Sequence, residues 1–227
     1  MEALLLTLNA GSSSLKFALF GADAQTPLRH RGNVDAIGTP RACLQVDGES
    51  VDDGGAIADH AAALRDVLEH LPANTQFSFV GHSMGNIVVR HLLGDLRDDD
   101  PADLLSRCRA MVMLGPPNQG ALIAKRLART GVFGWITGQG AIELGPKWDA
   151  LEKKLATPSF PFAIIAGDLS EQPIQNPLVD GSSDLIVSVD EAQLDGAQWL
   201  KTVPVLHSFL MNSESVQQMT IDFIKSH

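Results

Sequence analysis

Five consecutive residues, Gly81-His82-Ser83-Met84-Gly85, constrain the fold of this chain more than any other stretch. An apolar run at residues 77–80 leads into them, and from about residue 84 to 96 apolar side chains recur at helical spacing. A buried strand, a glycine-flanked turn and an amphipathic helix in direct succession form a strand–turn–helix unit. Such a unit belongs in a largely parallel sheet with helices packed on its faces.

The remainder of the chain fits that frame from residue 57 onward. Ile57, Ala61, Leu64, Val67, Leu68 and Leu71 repeat at helical spacing, so a helix is expected over 57–71. Further strands are expected at 110–114, 162–166, 185–189 and 202–205, and a closing helix at 213–224. Residues 118–154 interrupt the alternation with two or three helices and no strand. The front differs in style. Strands at 4–8 and 16–20 joined by the small-residue turn 9–14, then 29–37 and 42–46, read as an antiparallel meander. The expectation is one composite α/β domain: a single mixed, mostly parallel sheet with helices on both faces, and an antiparallel segment at 1–50.

With 227 residues and 44% hydrophobic content, the chain can bury one sizeable core. A formal charge of −10 argues against nucleic acid or an anionic lipid surface as partner. No apolar run approaches the roughly 18 residues needed to span a bilayer. The apolar start at residues 3–6 carries an acid, Glu2, where a leader would be basic, so it is read as the first strand. Cys43 and Cys108 have neither metal-ligand spacing nor the density of a disulfide framework. No metal site and no cofactor are expected, and the chain is read as cytoplasmic.

Ser83 is the candidate nucleophile. A sharp strand-to-helix turn lifts its hydroxyl above the sheet and aims the Met84 backbone N–H at a developing oxyanion. A serine hydroxyl needs a base, and the base needs an orienting acid. His30, His60 and His70 precede the serine, His91 lies in the helix after it, His82 is inside the turn and His227 is terminal. His207, just after an expected strand, is the one placed to reach it. Asp184 is the first choice of acid, with Asp180, Asp168 and Asp190 near enough to compete.

From about residue 57 to 227 the chain resembles a bacterial α/β-hydrolase of the lipase/esterase kind. The resemblance rests on FVGHSMGNIVVRHLL, MVMLGPPNQGA, IIAGD, DGSSDLIVSVDEA and VLHSFLMNSESV. It implies Ser83 as nucleophile, Asp184 as acid and His207 as base. It also implies a helical cap at about 118–156, with Leu122, Phe133 and Trp135 lining an acyl pocket, and a small-molecule ester or lipid as substrate. That family also uses early strands and a small-residue oxyanion loop before the serine, and neither is present here.

In their place, LNAGSSSLKF at residues 8–17 closely resembles the opening of acetate kinase, and the likeness fades near Ser50. There it ties the position of Asn9 to magnesium and catalysis, and Lys16 to nucleotide binding. The remaining kinase machinery has no counterpart. The chain is therefore read as a junction of two genes near residues 50–58, acting as a serine hydrolase weakened by loss of its oxyanion loop. A catalytically inactive hybrid is the alternative, and an acetate kinase-like phosphotransferase a remote one. The acetate kinase resemblance implies that strand 4–8 pairs parallel with strand 77–80, giving the order third, second and first front strand, nucleophile strand, then 110–114. The turn carrying Asn9 is therefore expected at the same sheet edge as Ser83. Asn9 or its neighbouring N–H groups would then substitute for the missing loop.

Overall fold

The computed structural model describes residues 2–11, 13–22, 25–51, 57–120, 148–173, 179 and 181–227. The front is a meander of β1 (Glu2–Ala10), β2 (Leu15–Gly21), β3 (Leu28–Asp35), β4 (Cys43–Val46) and β5 (Glu49–Val51). The alternating part follows: α1 (His60–Glu69), β6 (Thr75–His82), α2 (Met84–Asp98), α3 (Leu104–Arg107) and β7 (Cys108–Leu114). Then come α4 (Trp148–Glu152), β8 (Phe162–Gly167), α5 (Val189–Ala192) and β9 (Leu200–Val203). A 3₁₀ turn at His207–Asn212 and α6 (Glu214–Ser226) close the chain.

Among the described residues all nine strands form one sheet in the order β5-β4-β3-β2-β1-β6-β7-β8-β9. Pairing is antiparallel through the front and parallel from β1 onward. The front strands are thus part of the same sheet. β1 runs parallel to β6 with Leu4 opposite Phe77, Leu6 opposite Phe79 and Leu8 opposite Gly81. Without β1, the apolar β6 would stand at an open sheet edge, ready to pair with another chain.

Strand alternation sorts the β1 side chains onto two faces. Leu4, Leu6 and Leu8 join Leu15, Phe17 and Leu19 of β2 in a core shared with α1 and α2, where Leu64, Leu68 and Leu92 are fully buried. Leu5 faces the other way, toward a second cluster containing Val80, Val112, Leu114 and, from α6, Val216 and Phe223. Each fully buried leucine contributes roughly 1.5–3 kcal/mol relative to exposure. Losing the front would therefore cost the core as well as the sheet edge.

Two expectations are corrected. Residues 185–189 are not a strand. Asp184 Oδ1 accepts the Ile186 and Val187 N–H groups at 3.0 and 2.7 Å, and Leu185 takes a φ of 75°, so the chain folds back over its own carboxylate. Ser188 then starts α5 through a capping box with Glu191. The triplet Leu185-Ile186-Val187 belongs to no sheet strand, and an isolated antiparallel bridge joins Ser183 to Ser188 across it. The last strand is Leu200–Val203, ending two residues earlier than the expected 202–205. Most of the expected cap lies outside the described residues, and so do Leu122, Phe133 and Trp135.

Candidate active site

β6 delivers its chain to Ser83, whose backbone sits at φ 52°, ψ −121°. This is a conformation that non-glycine residues adopt only when the surroundings enforce it. Three bonds enforce it here. The Ser83 N–H donates to Leu114 O at 2.9 Å, and the Ser83 carbonyl accepts both the Asn86 N–H and Asn86 Nδ2 at 3.1 Å. Asn86 Nδ2 also donates to Leu114 O at 3.2 Å, tying the turn to the end of β7. Ser83 occupies the N-cap of α2, yet its hydroxyl makes no capping bond. The hydroxyl is thereby left for other work. The first N–H groups of α2, Met84 among them, have no acceptor within the helix, and the helix dipole adds positive potential there.

His207 and Asp184 form the buried ionisable pair of this region. His207 Nδ1 donates to Asp184 Oδ2 at 2.7 Å, and the His207 N–H donates to the Asp184 carbonyl at 3.2 Å. With Oδ1 held by two backbone N–H groups, both carboxylate oxygens are engaged, and the imidazole is fixed at both ring and backbone. Gly167, at the end of β8, makes room for the acid: a Cβ there would fall 2.4 Å from Asp184 Cβ and 2.3 Å from Val205 O. Gly115, directly after β7, lies against the His207 ring, 3.0 Å from Nδ1 to the position of a Cβ. The Ser83 N–H is bonded to Leu114 and the His207 ring lies on Gly115, so both are anchored at the end of β7. Among the described residues no hydrogen bond joins the Ser83 hydroxyl to the His207 ring. Unliganded sites commonly show such slack and tighten with substrate.

The competing acids are engaged elsewhere. Asp168 accepts the Ser170 N–H at 2.9 Å, which holds its carboxyl below the usual range, and Asp190 pairs with Gln193. Asp180 is outside the described residues.

Sequence reasoning passed over His82. Its Nε2 donates to the His207 carbonyl at 2.9 Å, and the two rings lie 4.9 Å apart at 43°. Burial, reinforced by the neighbouring His207, pushes its pKa down to about 4, so it is neutral at pH 7. Its adjacency to Ser83 was the only available signal. Arg90 and Asn118 were missed too. Arg90 Nη1 donates to Asn118 Oδ1 at 3.1 Å, and Asn118 Nδ2 donates to Ala192 O at 2.8 Å, fastening α2, the loop after β7 and α5 together. Burial lowers the Arg90 pKa to about 10, which leaves it a cation at neutral pH.

The front reaches the same edge. Leu8 pairs with Gly81, and its carbonyl faces Gly85 in the first turn of α2. Asn9 is the next residue, and with His82 it lines a cavity of about 580 Å³. Among the described residues no cluster of three or more His, Cys, Asp or Glu could hold a metal, and no helix is long and apolar enough to cross a membrane.

Comparison with known proteins finds acetate kinases by sequence. The acetokinase family model matches residues 4–90. That range runs past Ser50 through α1, β6 and Ser83 into α2, further than the fading near Ser50 suggested. An acetate kinase of Geobacillus kaustophilus is 46% identical over 71 residues, 30% of this chain and 18% of the relative. One from Desulfitobacterium hafniense is 32% identical over 141 residues, 56% of this chain and 35% of the relative. The chain thus spans about a fifth to a third of the length of these curated relatives. Similar solved structures include a metagenomic carboxyl esterase at 18% identity and a TM-score of 0.49, covering 73% of this chain and 57% of that one. A mature Bacillus licheniformis lipase gives 18% and 0.48, covering 73% and 66%. A Porphyromonas gingivalis acetate kinase gives 18% and 0.31, covering 62% and 34%. All three scores are below 0.5, so the fold description rests on the strand order and pairing given above. An acetate kinase-like front is joined in one sheet to an α/β body.

Proposed function

We propose that this protein is a serine hydrolase of carboxylic esters. The observation that supports it best is the buried His207–Asp184 pair, fixed at both ends, anchored at the same end of β7 as a serine held in a strained strand-to-helix turn. On this reading Ser83 Oγ attacks the ester carbonyl carbon while its proton passes to His207 Nε2. The tetrahedral oxyanion is met by the Met84 N–H. Its collapse breaks the bond to the alcohol, which leaves with the proton from His207 and gives an acyl-enzyme on Ser83. Water, deprotonated by the same nitrogen, then releases the carboxylic acid. Asp184 holds the imidazole in the tautomer that leaves Nε2 free to accept.

A fluorophosphonate probe tests this without requiring the right ester. The expected result is labelling of the wild type and none of Ser83→Ala, with slow, Ser83-dependent cleavage of a short-chain p-nitrophenyl ester. A folded wild type that resists the probe would favour an inert hybrid. The acetokinase match over residues 4–90 supports a second reading, phosphoryl transfer to acetate. Acetate-dependent ATP consumption that survives Ser83→Ala but is lost in Asn9→Ala would establish it.

A further inference from the structure

On the α6 side of the sheet, β1 and β2 present three cross-strand pairs in a row: Leu5 with Phe20, Thr7 with Ala18, and Asn9 with Lys16. Directly opposed residues share a face, so this row is a polarity gradient from apolar to cationic, rising toward the edge that carries Ser83. β6 repeats the gradient with Val80 and then His82. Across from these strands stand Val216, Thr220 and Ile221 of α6, and the space between is the cavity of about 580 Å³. Single-ligand pockets commonly have this size. Among the described residues lining it, Lys16 is the one charged side chain, and no carboxylate is present. His82 supplies no charge, being neutral at pH 7. Lys16 itself is exposed at the rim while Leu5 is buried at the opposite end.

We propose that this cavity binds one aliphatic carboxylate, a fatty acid anion, with its chain between the β1–β2 face and α6 and its head group at Lys16. The single cation selects the charge of the head, and the apolar depth selects a chain over a compact anion. The Thr7 hydroxyl does not demand a polar ligand, because it already donates to Ala18 O at 3.3 Å. Binding needs no turnover and Ser83 does not line the cavity, although Asn9 and His82, at the same edge, do.

The test is displacement of a dansylated undecanoate from the full-length Ser83→Ala protein, where hydrolysis cannot intervene. Dodecanoate below its micellar concentration is expected to displace the probe, while acetate and inorganic phosphate are not. Dodecyltrimethylammonium should compete about fivefold more weakly, the scale of one solvent-screened ion pair. Lys16→Met should erase that preference. Ala18→Phe, filling the cavity from the sheet, should abolish binding with circular dichroism unchanged. If that variant does not fold, Ile221→Trp fills the cavity from α6 with the same expected result. Equal competition by the cation, displacement by phosphate at the strength of dodecanoate, or full binding in a folded cavity-filled variant would each overturn the proposal.

Discussion

The Leu8 carbonyl lies where a side chain on residue 85 would begin, 2.8 Å from the position of a Cβ on Gly85. The front and the serine turn are therefore closely packed, and a side chain at residue 85 would collide with the β1 main chain.

Gly85→Ala follows from that contact. Alanine is the better helix former by about 1 kcal/mol, but the clash is with main chain, which cannot rotate away. Overpacking of this kind costs typically 1–3 kcal/mol. The expected outcome is a net loss of up to about 2 kcal/mol, lowering Tm by up to roughly 8 °C for a chain of this size. Calorimetry showing a raised Tm would mean that Leu8 and Gly85 do not touch in solution.

What the sequence revealed and what it hid divides along physical lines. The apolar run at residues 4–8 marks β1 and the helical repeat that includes Leu64 and Leu68 marks α1, while the parallel β1–β6 pairing follows from the likeness of the front to acetate kinase, not from periodicity. The triplet Leu185-Ile186-Val187 could not be read this way. Its apolar character signals burial, and burial alone does not distinguish a paired strand from a loop folded over Asp184 Oδ1. At the site, Ser83 is singled out by its strand–turn–helix setting, and Asp184 and His207 by the serine–acid–histidine order of the hydrolases the chain resembles. Of these, the structure joins Asp184 and His207 by a hydrogen bond. His82 and the Arg90–Asn118 link are not singled out, because they are defined by contacts between distant segments that carry no periodic signal.

Asp184→Asn should separate orientation from folding. Asparagine can keep its oxygen toward the Ile186 and Val187 N–H groups, which places its NH₂ against His207 Nδ1. Nδ1 must then accept, the ring proton moves to Nε2, and the base can no longer take the Ser83 proton. Ester turnover and fluorophosphonate labelling are expected to fall roughly a thousandfold or more, with the thermal transition little changed. A variant that labels at the wild-type rate would remove Asp184 from the mechanism.

His82 makes stability depend on pH. Its folded pKa is about 4 against an ordinary value of 6.5, the first cause being burial. Between those values the unfolded chain binds more protons than the folded one, so stability falls as pH falls through that window. The full effect is on the order of 3 kcal/mol, reached near pH 4. Asp168, with its carboxyl held below 3.8, acts in a separate and lower range. Urea melts at about pH 7 and about pH 4.5 should show a loss in the wild type that is smaller in His82→Gln. Parallel losses in the two proteins would show that His82 is not the group responsible.

The last prediction concerns what replaces the missing oxyanion loop. On the hydrolase reading Met84 supplies one N–H, and an acyl-transfer site generally uses at least two donors, each worth about 100- to 1000-fold in turnover when fully engaged. β1 ends beside the elbow, with Leu8 opposite Gly81 and Asn9 exposed at the same edge. An exposed amide is solvated before substrate arrives, so its share should be at the weak end. Asn9→Ala is expected to lower kcat for a p-nitrophenyl ester about 10- to 100-fold, leaving KM and Tm nearly unchanged, since the side chain packs against little. Asn9→Gln keeps the donor but displaces it, and should recover only part of the loss. If Asn9→Ala hydrolyses at the wild-type rate, the second donor is not this side chain, and the neighbouring backbone N–H groups of the turn after β1 become the candidates. Dependence of kcat on Asn9 would show an acetate kinase-like strand end supplying a catalytic donor to a hydrolase-like serine.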